Sequence, residues 1–148
     1  ALQGRFSGNF DTGTVSMIEQ APASFTPVPS VTFAIADGFY SIQVPYMPEP
    51  GGTSYKIVAE HGLYLDNEDT ISVSGNLSGK NTRLWGGDAN NDGKVLIGDL
   101  SCIGGSFGLV PSDCGGAGSA DINADGKVNV QDLAIAGGNF DKTSPQPW

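Results

Sequence analysis

The sequence predicts two small domains: an all-β sandwich of about seven strands over residues 1–84, and an α module of two loop-helix repeats over residues 86–148. Three observations lead there. Apolar and polar residues alternate with period two through the first half, Gly- and Pro-rich stretches punctuate those runs, and after Gly86 the alternation gives way to a repeat with an offset of 33 residues. The chain of 148 residues is 39% hydrophobic with 22 Gly and 9 Pro, a balance that suits short strands joined by turns in a globular chain.

The strands are expected in order. Residues 2–6 and 14–19 open the series. Val31, Phe33 and Ile35 then alternate with Thr32 and Ala34, and Tyr40, Ile42 and Val44 with Ser41 and Gln43. Asp37-Gly38 lies between these runs and tolerates the positive φ of a tight turn, so the two are expected to pair as a hairpin. Residues 55–59, 70–74 and 82–85 complete the set, separated by stretches such as 45–52. Asp37-Gly38-Phe39-Tyr40-Ser41-Ile42-Gln43-Val44-Pro45, with Tyr55-Lys56-Ile57-Val58-Ala59 and Gly62-Leu63-Tyr64-Leu65, resembles the carboxypeptidase-regulatory-like, transthyretin-like or X-module-like sandwiches of secreted bacterial proteins. The resemblance covers residues 1–84, and a fibronectin-like or immunoglobulin-like sandwich leaves a similar trace.

The formal charge of −9, from 16 acidic and 7 basic residues, repels nucleic acid and anionic membrane surfaces. Its distribution is informative. After Trp85 there are eight carboxylates, and six of them (Asp88, Asp92, Asp99, Asp121, Asp125 and Asp132) fall into two regularly spaced sets, as a cation trap requires. Laying residues 88–110 over 121–143 matches eleven of 23 positions, among them Asp88/Asp121, Asn90/Asn123, Asp92/Asp125, Gly93/Gly126, Lys94/Lys127 and Asp99/Asp132.

Each copy reads Asp-x-Asn-x-Asp-Gly-Lys-Val-x-x-x-Asp, a twelve-residue loop with oxygen donors at positions 1, 3, 5 and 12. Side chains at 1, 3 and 5 converge as the backbone curls, Gly at 6 makes the bend, and position 7 donates its carbonyl whatever its side chain. The predicted ligands of two Ca²⁺ ions are therefore Asp88, Asn90, Asp92, Asp99 and the Lys94 carbonyl, and Asp121, Asn123, Asp125, Asp132 and the Lys127 carbonyl. A hard oxygen-only set excludes zinc and copper, and flexible coordination favours calcium over magnesium. Removing the metal is expected to unfold residues 86–148 and leave the sandwich folded.

An apolar stripe follows each loop: Leu100, Ile103 and Phe107, then Leu133, Ala136 and Phe140. No helix is expected before either loop, because Trp85-Gly86-Gly87 and Gly115-Gly116-Ala117-Gly118 are poor helix formers. Loop followed by helix, twice, resembles a type I dockerin over residues 86–148, the calcium-binding module that docks into cohesin domains in cellulosomes, extracellular assemblies for polysaccharide catabolism. The resemblance implies a secreted, EF-hand-like protein-protein interaction module with a cohesin partner. Carried over position by position, it implies partner contacts at Ile97, Gly98, Gly104, Gly105 and Leu109, and at Val130, Gln131, Gly137, Gly138 and Lys142. Cellulosomal modules often have Ser-Thr where this chain has Ile97-Gly98 and Val130-Gln131, a departure that bears on the type of partner. The glycine pairs cost helix stability, either so that segments of the chain pack closely or so that a flat partner can approach. Family resemblance also implies that the ends meet, with Trp85 packing on Pro145, Pro147 or Trp148.

Cys102 and Cys114 are either a disulfide or two free thiols, and the extracellular setting favours the disulfide. Such a bond closes a small loop and contributes about 3 kcal/mol in the chain-entropy view. No apolar run approaches the roughly 20 residues of a membrane-spanning helix. The opening Ala1-Leu2-Gln3-Gly4 lacks an initiator Met, so a processed chain or a piece of a longer one is expected. An enzyme is not expected. Gly104-Gly105-Ser106-Phe107-Gly108 fits a nucleophile elbow in spelling but follows a calcium loop instead of a strand, and the second copy has Asn139 in place of Ser106. The alternative function is a carbohydrate- or surface-binding sandwich, with Tyr40, Tyr46, Tyr55 and Tyr64 as a platform.

Overall fold

The computed structural model describes residues 2–7, 12–20, 31–34, 39–44 and 52–148. Strands form along the alternating runs: β1 (Leu2–Ser7), β2 (Thr12–Glu19), β3 (Val31–Ala34), β4 (Phe39–Ile42), β5 (Thr53–Glu60), β6 (Tyr64–Leu65), β7 (Asn67–Val73), β8 (Thr82–Arg83) and β9 (Trp85–Gly86). Two helices come next, α1 (Ile97–Gly105) and α2 (Val130–Gly138), and a last short strand, β10 (Gln146–Pro147). The described chain is thus mostly β-sheet with two helices.

A five-stranded sheet runs in the order β10-β7-β5-β2-β3, a three-stranded sheet in the order β4-β1-β8, and β6 pairs with β9. β5 is the middle strand of the larger sheet. It pairs antiparallel with β2 and with β7, and it buries Tyr55, Ile57 and Ala59 completely. That is the period-two face read from the sequence.

The expected hairpin is corrected. β3 pairs with β2 while β4 pairs with β1, so the two runs belong to different sheets. Alternation records which face of a strand is buried and not which strand lies beside it, so two strands that meet across a sandwich leave the same pattern as a hairpin. Asp37-Gly38, Ile35 and Tyr46 lie outside the described residues.

The tail adds β10 parallel to β7, with Gln146 opposite Asn67 and Pro147 opposite Glu68. The Gln146 amide donates to the Asp66 carbonyl at 2.8 Å and the Trp148 amide to the Glu68 carbonyl at 3.2 Å. The Arg83 guanidinium and the Lys142 ammonium each lie 4.8 Å from the centroid of the Trp85 ring.

One apolar core joins the sheets to the repeats, running from Val15, Ile57 and Leu65 through Leu84 to Val95, Ile103, Ile122, Val128 and Ala136. Glycine permits the closest approaches. A Cβ on Gly87, whose φ is +121°, would lie 2.6 Å from Ala136 Cα, and a Cβ on Gly118 would collide with the Ala89 carbonyl. The glycines flanking the loops are therefore packing residues as well as helix breakers.

Candidate functional site

Both loops fold by the same hydrogen-bond scheme. In the first, the Asp88 carboxylate accepts the amides of Asp92 (2.9 Å) and Gly93 (2.8 Å), and Asp92 accepts that of Lys94 (3.0 Å). Asn90 Oδ1 accepts the Asp92 amide at 3.0 Å. Asp99, at the last position, takes the Asn90 amide on one oxygen (3.2 Å) and the Leu96 amide on the other (2.8 Å). It therefore closes the loop and caps α1 at once.

The second loop repeats this. Asp121 accepts Asp125 and Gly126 amides, Asp125 accepts that of Lys127, Asn123 Oδ1 accepts that of Asp125, and Asp132 takes the Asn123 and Asn129 amides. α2 is better capped than α1, because Asn129 also accepts the Gln131 amide where Leu96 has no acceptor. An asparagine at position 9 thus serves the helix.

Four of the six loop carboxylates are buried, and among the described residues no ion pair reaches them. Asp88, Asp99, Asp121 and Asp132 are all more than nine-tenths buried, with Asp132 at 0% exposure. The ion pairs among the described residues are Lys56 with Glu68 and Lys80 with Asp69, and neither reaches a loop. Burial pushes the Asp88 carboxyl above its ordinary range; amides of Gly93 and Asp92 draw it back, and the charges of Asp99 and Asp92 push it up further. Buried carboxylates call for a cation. Among the described residues no group of three or more His, Cys, Asp or Glu side chains is arranged as a ready metal site. The donor set that fits calcium is mixed, three carboxylates with an amide oxygen and a carbonyl per loop, and it is here folded onto backbone amides.

The helices end earlier than the apolar stripes suggest. Ile103 and Ala136 are fully buried, and Leu100 and Leu133 pack against the core. Phe107 and Phe140 lie beyond the helix ends and are 52% and 48% exposed, a correction to their expected place on the stripe. The glycine pairs cause it. Gly104-Gly105 and Gly137-Gly138 lie at the ends of α1 and α2, where a weak helix former stops the helix.

Those pairs are bare. Among the described residues, a Cβ on Gly98, Gly104, Gly105, Gly137 or Gly138 would meet nothing within 4 Å. Close packing among the described residues does not explain them. Ile97 lies two helical turns from Gly104, and Val130 two turns from Gly137, opposite the buried Asp99 and Ile103 or Asp132 and Ala136. Ile97, Val130 and Leu109 are 69%, 65% and 62% exposed, and Val110, which sequence reasoning passed over, 80%. Gln131 is turned to the second loop and accepts from Asn123 Nδ2 at 3.0 Å, while Lys142 is engaged by Trp85.

Cys102 and Cys114 are joined by a disulfide with Cα atoms 5.9 Å apart. Of the tyrosines considered as a platform, Tyr55 and Tyr64 are buried at 0% and 5% exposure. His61 packs edge-on against Tyr64, ring centroids 5.1 Å apart. Among the described residues, no helix is long and apolar enough to cross a membrane.

The architecture is that of a β-rich chain carrying two acidic loop-helix units. No protein-family model and no curated protein sequence matches it. Solved structures share the fold. One is a type II cohesin-X-dockerin complex from Acetivibrio cellulolyticus mutated at its C-terminal interface, matched with a TM-score of 0.72 and 21% identity over 97% of this chain and 96% of that one. Another is the complex from the same organism mutated at its N-terminal interface, with a TM-score of 0.70 and 20% identity over the same shares. At such identities the likeness is one of fold.

Proposed function

We propose that this chain is a calcium-dependent docking unit, a β-sandwich followed by a dockerin-like module over residues 86–148, which attaches a secreted parent protein to a cohesin-like β-sandwich partner outside the cell and catalyses nothing itself. The observation that carries the reading is the bare glycine face. Four helix-end glycines have none of the described residues within 4 Å of the Cβ they lack, and Ile97, Val130 and Leu109 stand exposed around them. A helix that gives up side chains there gains no internal packing, whereas a partner sheet gains access to the backbone between apolar anchors. Of the two components that the structurally similar complexes join, the doubled acidic loop favours the X-dockerin side.

Calcium would be held by Asp88, Asn90, Asp92, Asp99 and the Lys94 carbonyl, and by Asp121, Asn123, Asp125, Asp132 and the Lys127 carbonyl. Its contribution is charge neutralisation and a fixed loop, which set the start of each helix. The chain's own part is the N-cap bonding of Asp99 and Asp132, which makes helix position follow loop position. Surface plasmon resonance of the full chain against type I and type II cohesin modules, with calcium and with chelator, is the test. Binding in calcium that is lost in chelator supports the proposal; a calcium-loaded chain that binds no cohesin of either type overturns it.

A further inference from the structure

The two loops are near copies internally and differ in what surrounds them. Resting on the calcium reading above, we infer that the first loop is a composite site, completed by the sandwich and the tail, while the second is held only by its lead-in Ser119, whose Oγ accepts the Asp121 amide at 3.1 Å, and by the first repeat, whose Gly108 amide reaches the Val128 carbonyl at 2.8 Å, so that the two ions bind with unequal affinity and only the first is coupled to β6 and β7. Asn91, at position 4 of the first loop, is the pivot. Its Oδ1 accepts the Leu63 amide at 2.7 Å, and its Nδ2 donates to the carbonyls of Gly116 and Ala117, each at 3.3 Å. The Leu63 carbonyl in turn accepts the amides of Gly87 (2.9 Å) and Asp88 (3.2 Å), which fixes the backbone of the first ligand.

The far side of the loop is held by the tail. Ser144 donates its amide to the Gly93 carbonyl at 2.7 Å, and its Oγ accepts the Asp66 amide at 2.9 Å, one residue before β7. Lys94 bridges to Thr143, and the Val95 amide reaches the Lys142 carbonyl at 2.9 Å. Positions 1, 4, 6, 7 and 8 are thus positioned by residues outside the loop.

At position 4 of the second loop stands Ala124, in the same left-handed backbone conformation (φ +56° at both) but with no side chain to anchor it. Asparagine adopts that conformation readily and alanine does not, so the second loop keeps the turn without the tie. Groups that orient metal ligands from outside commonly change affinity by about 10- to 100-fold when removed. Linkage makes the effect mutual: what the sandwich lends to the first ion, that ion returns to the sandwich.

Loop knock-outs separate the sites, Asp121→Ala leaving the first and Asp88→Ala the second. Calcium titration of the chelator-stripped full chain by calorimetry is expected to show Asn91→Ala or Ser144→Ala weakening the first site about tenfold and the second by under about twofold. Equal loss in both, or loss in neither, overturns the inference and leaves the calcium reading standing; no uptake by the unsubstituted chain overturns both. Because Asn91→Ala can loosen the fold, amide hydrogen exchange on the two knock-outs is the second measurement. Calcium should slow exchange at residues 63–68 in Asp121→Ala protein and not in Asp88→Ala protein, and equal protection in both sinks the proposal.

Discussion

Asp66 lies in a polar cleft of about 340 Å³ between the sandwich and the first loop, with Glu60, His61, Asp88 and Ser144 among its walls. Burial, then the charges of Glu60, Glu68 and Asp88, lift its carboxyl from 3.8 to about 6. The folded chain therefore holds this proton more tightly than the unfolded chain, so stability from this group is fullest below about pH 4 and is lost as pH rises through 6. Asp66→Asn removes the ionisation. In calcium-free buffer it should raise the melting temperature at pH 7 and leave it nearly unchanged at pH 4, so a gain that is the same at both values would assign the effect to something other than titration. At this scale the sequence is legible where chemistry demands a fixed atom. Asp88, Asn90, Asp92 and Asp99 could be singled out because a hard cation needs oxygens at such spacings, and the structure gathers them on the amides of one loop. Asn91 could not, since position 4 carries no ligand duty and its bond to Leu63 joins residues 28 apart. The one available signal was the difference from Ala124 in the other copy.

Among elements, α1 and α2 were legible as helices after loops, and their ends were not. The stripe ran on to Phe107 and Phe140, but a glycine pair in the last turn outweighed it. Strand existence was legible for the same reason: alternation reports burial. Strand partnership was not, as β3 and β4 show, and β10 was hidden because Gln146-Pro147 has no alternation to read. The glycine pairs give a test that separates folding from docking. Since a Cβ there meets only open space, Gly104→Ala with Gly105→Ala should leave the melting temperature unchanged or raise it, alanine being up to about 1 kcal/mol the better helix former per site. Cohesin affinity, read by surface plasmon resonance, should fall tenfold or more. A melting temperature that drops would mean instead that the pairs serve the fold.

The same face carries an orientation test. Ile97 and Val130 are equivalent by the repeat and similarly exposed, at 69% and 65%. Their surroundings differ, because Leu109 and Val110 stand at the surface of the first copy while Lys142 of the second is spent on Trp85. The first copy thus presents the larger apolar area, and contact centres are where such anchors weigh most. Ile97→Asp should cost on the order of 3 kcal/mol of binding and Val130→Asp much less, the former a loss of more than a hundredfold. Equal losses would mean that both copies engage or that two orientations are populated.

At the scale of the whole molecule, residues 86–148 do not stand apart from the sheets. Leu84, Tyr64 and Leu65 share one core with Ala89, Val95 and Ile122, and β10 carries the tail back onto β7. The charge pattern and the repeat divide the sequence at Gly86, yet neither reports on packing between the parts, so the expectation that chelation unfolds only the second part needs revision. If the loops hold calcium as proposed, its removal would free the Asp88 carboxylate and the Lys94 carbonyl, and through Leu63, Asp66 and Ser144 that loosening would reach β6 and β7. Two ions bound as proposed, each at a hundredfold excess over its dissociation constant, would contribute about 5 kcal/mol. For a chain of 148 residues this corresponds to a melting shift on the order of 15 °C. The expected outcome is a single transition that moves down as a unit in chelator, with the far-ultraviolet signal of the sheets and the near-ultraviolet signal of Trp85 and Trp148 coinciding at every calcium concentration. Separate transitions, with the sheet signal unmoved by chelator, would show that the shared core is too weak to couple the two parts.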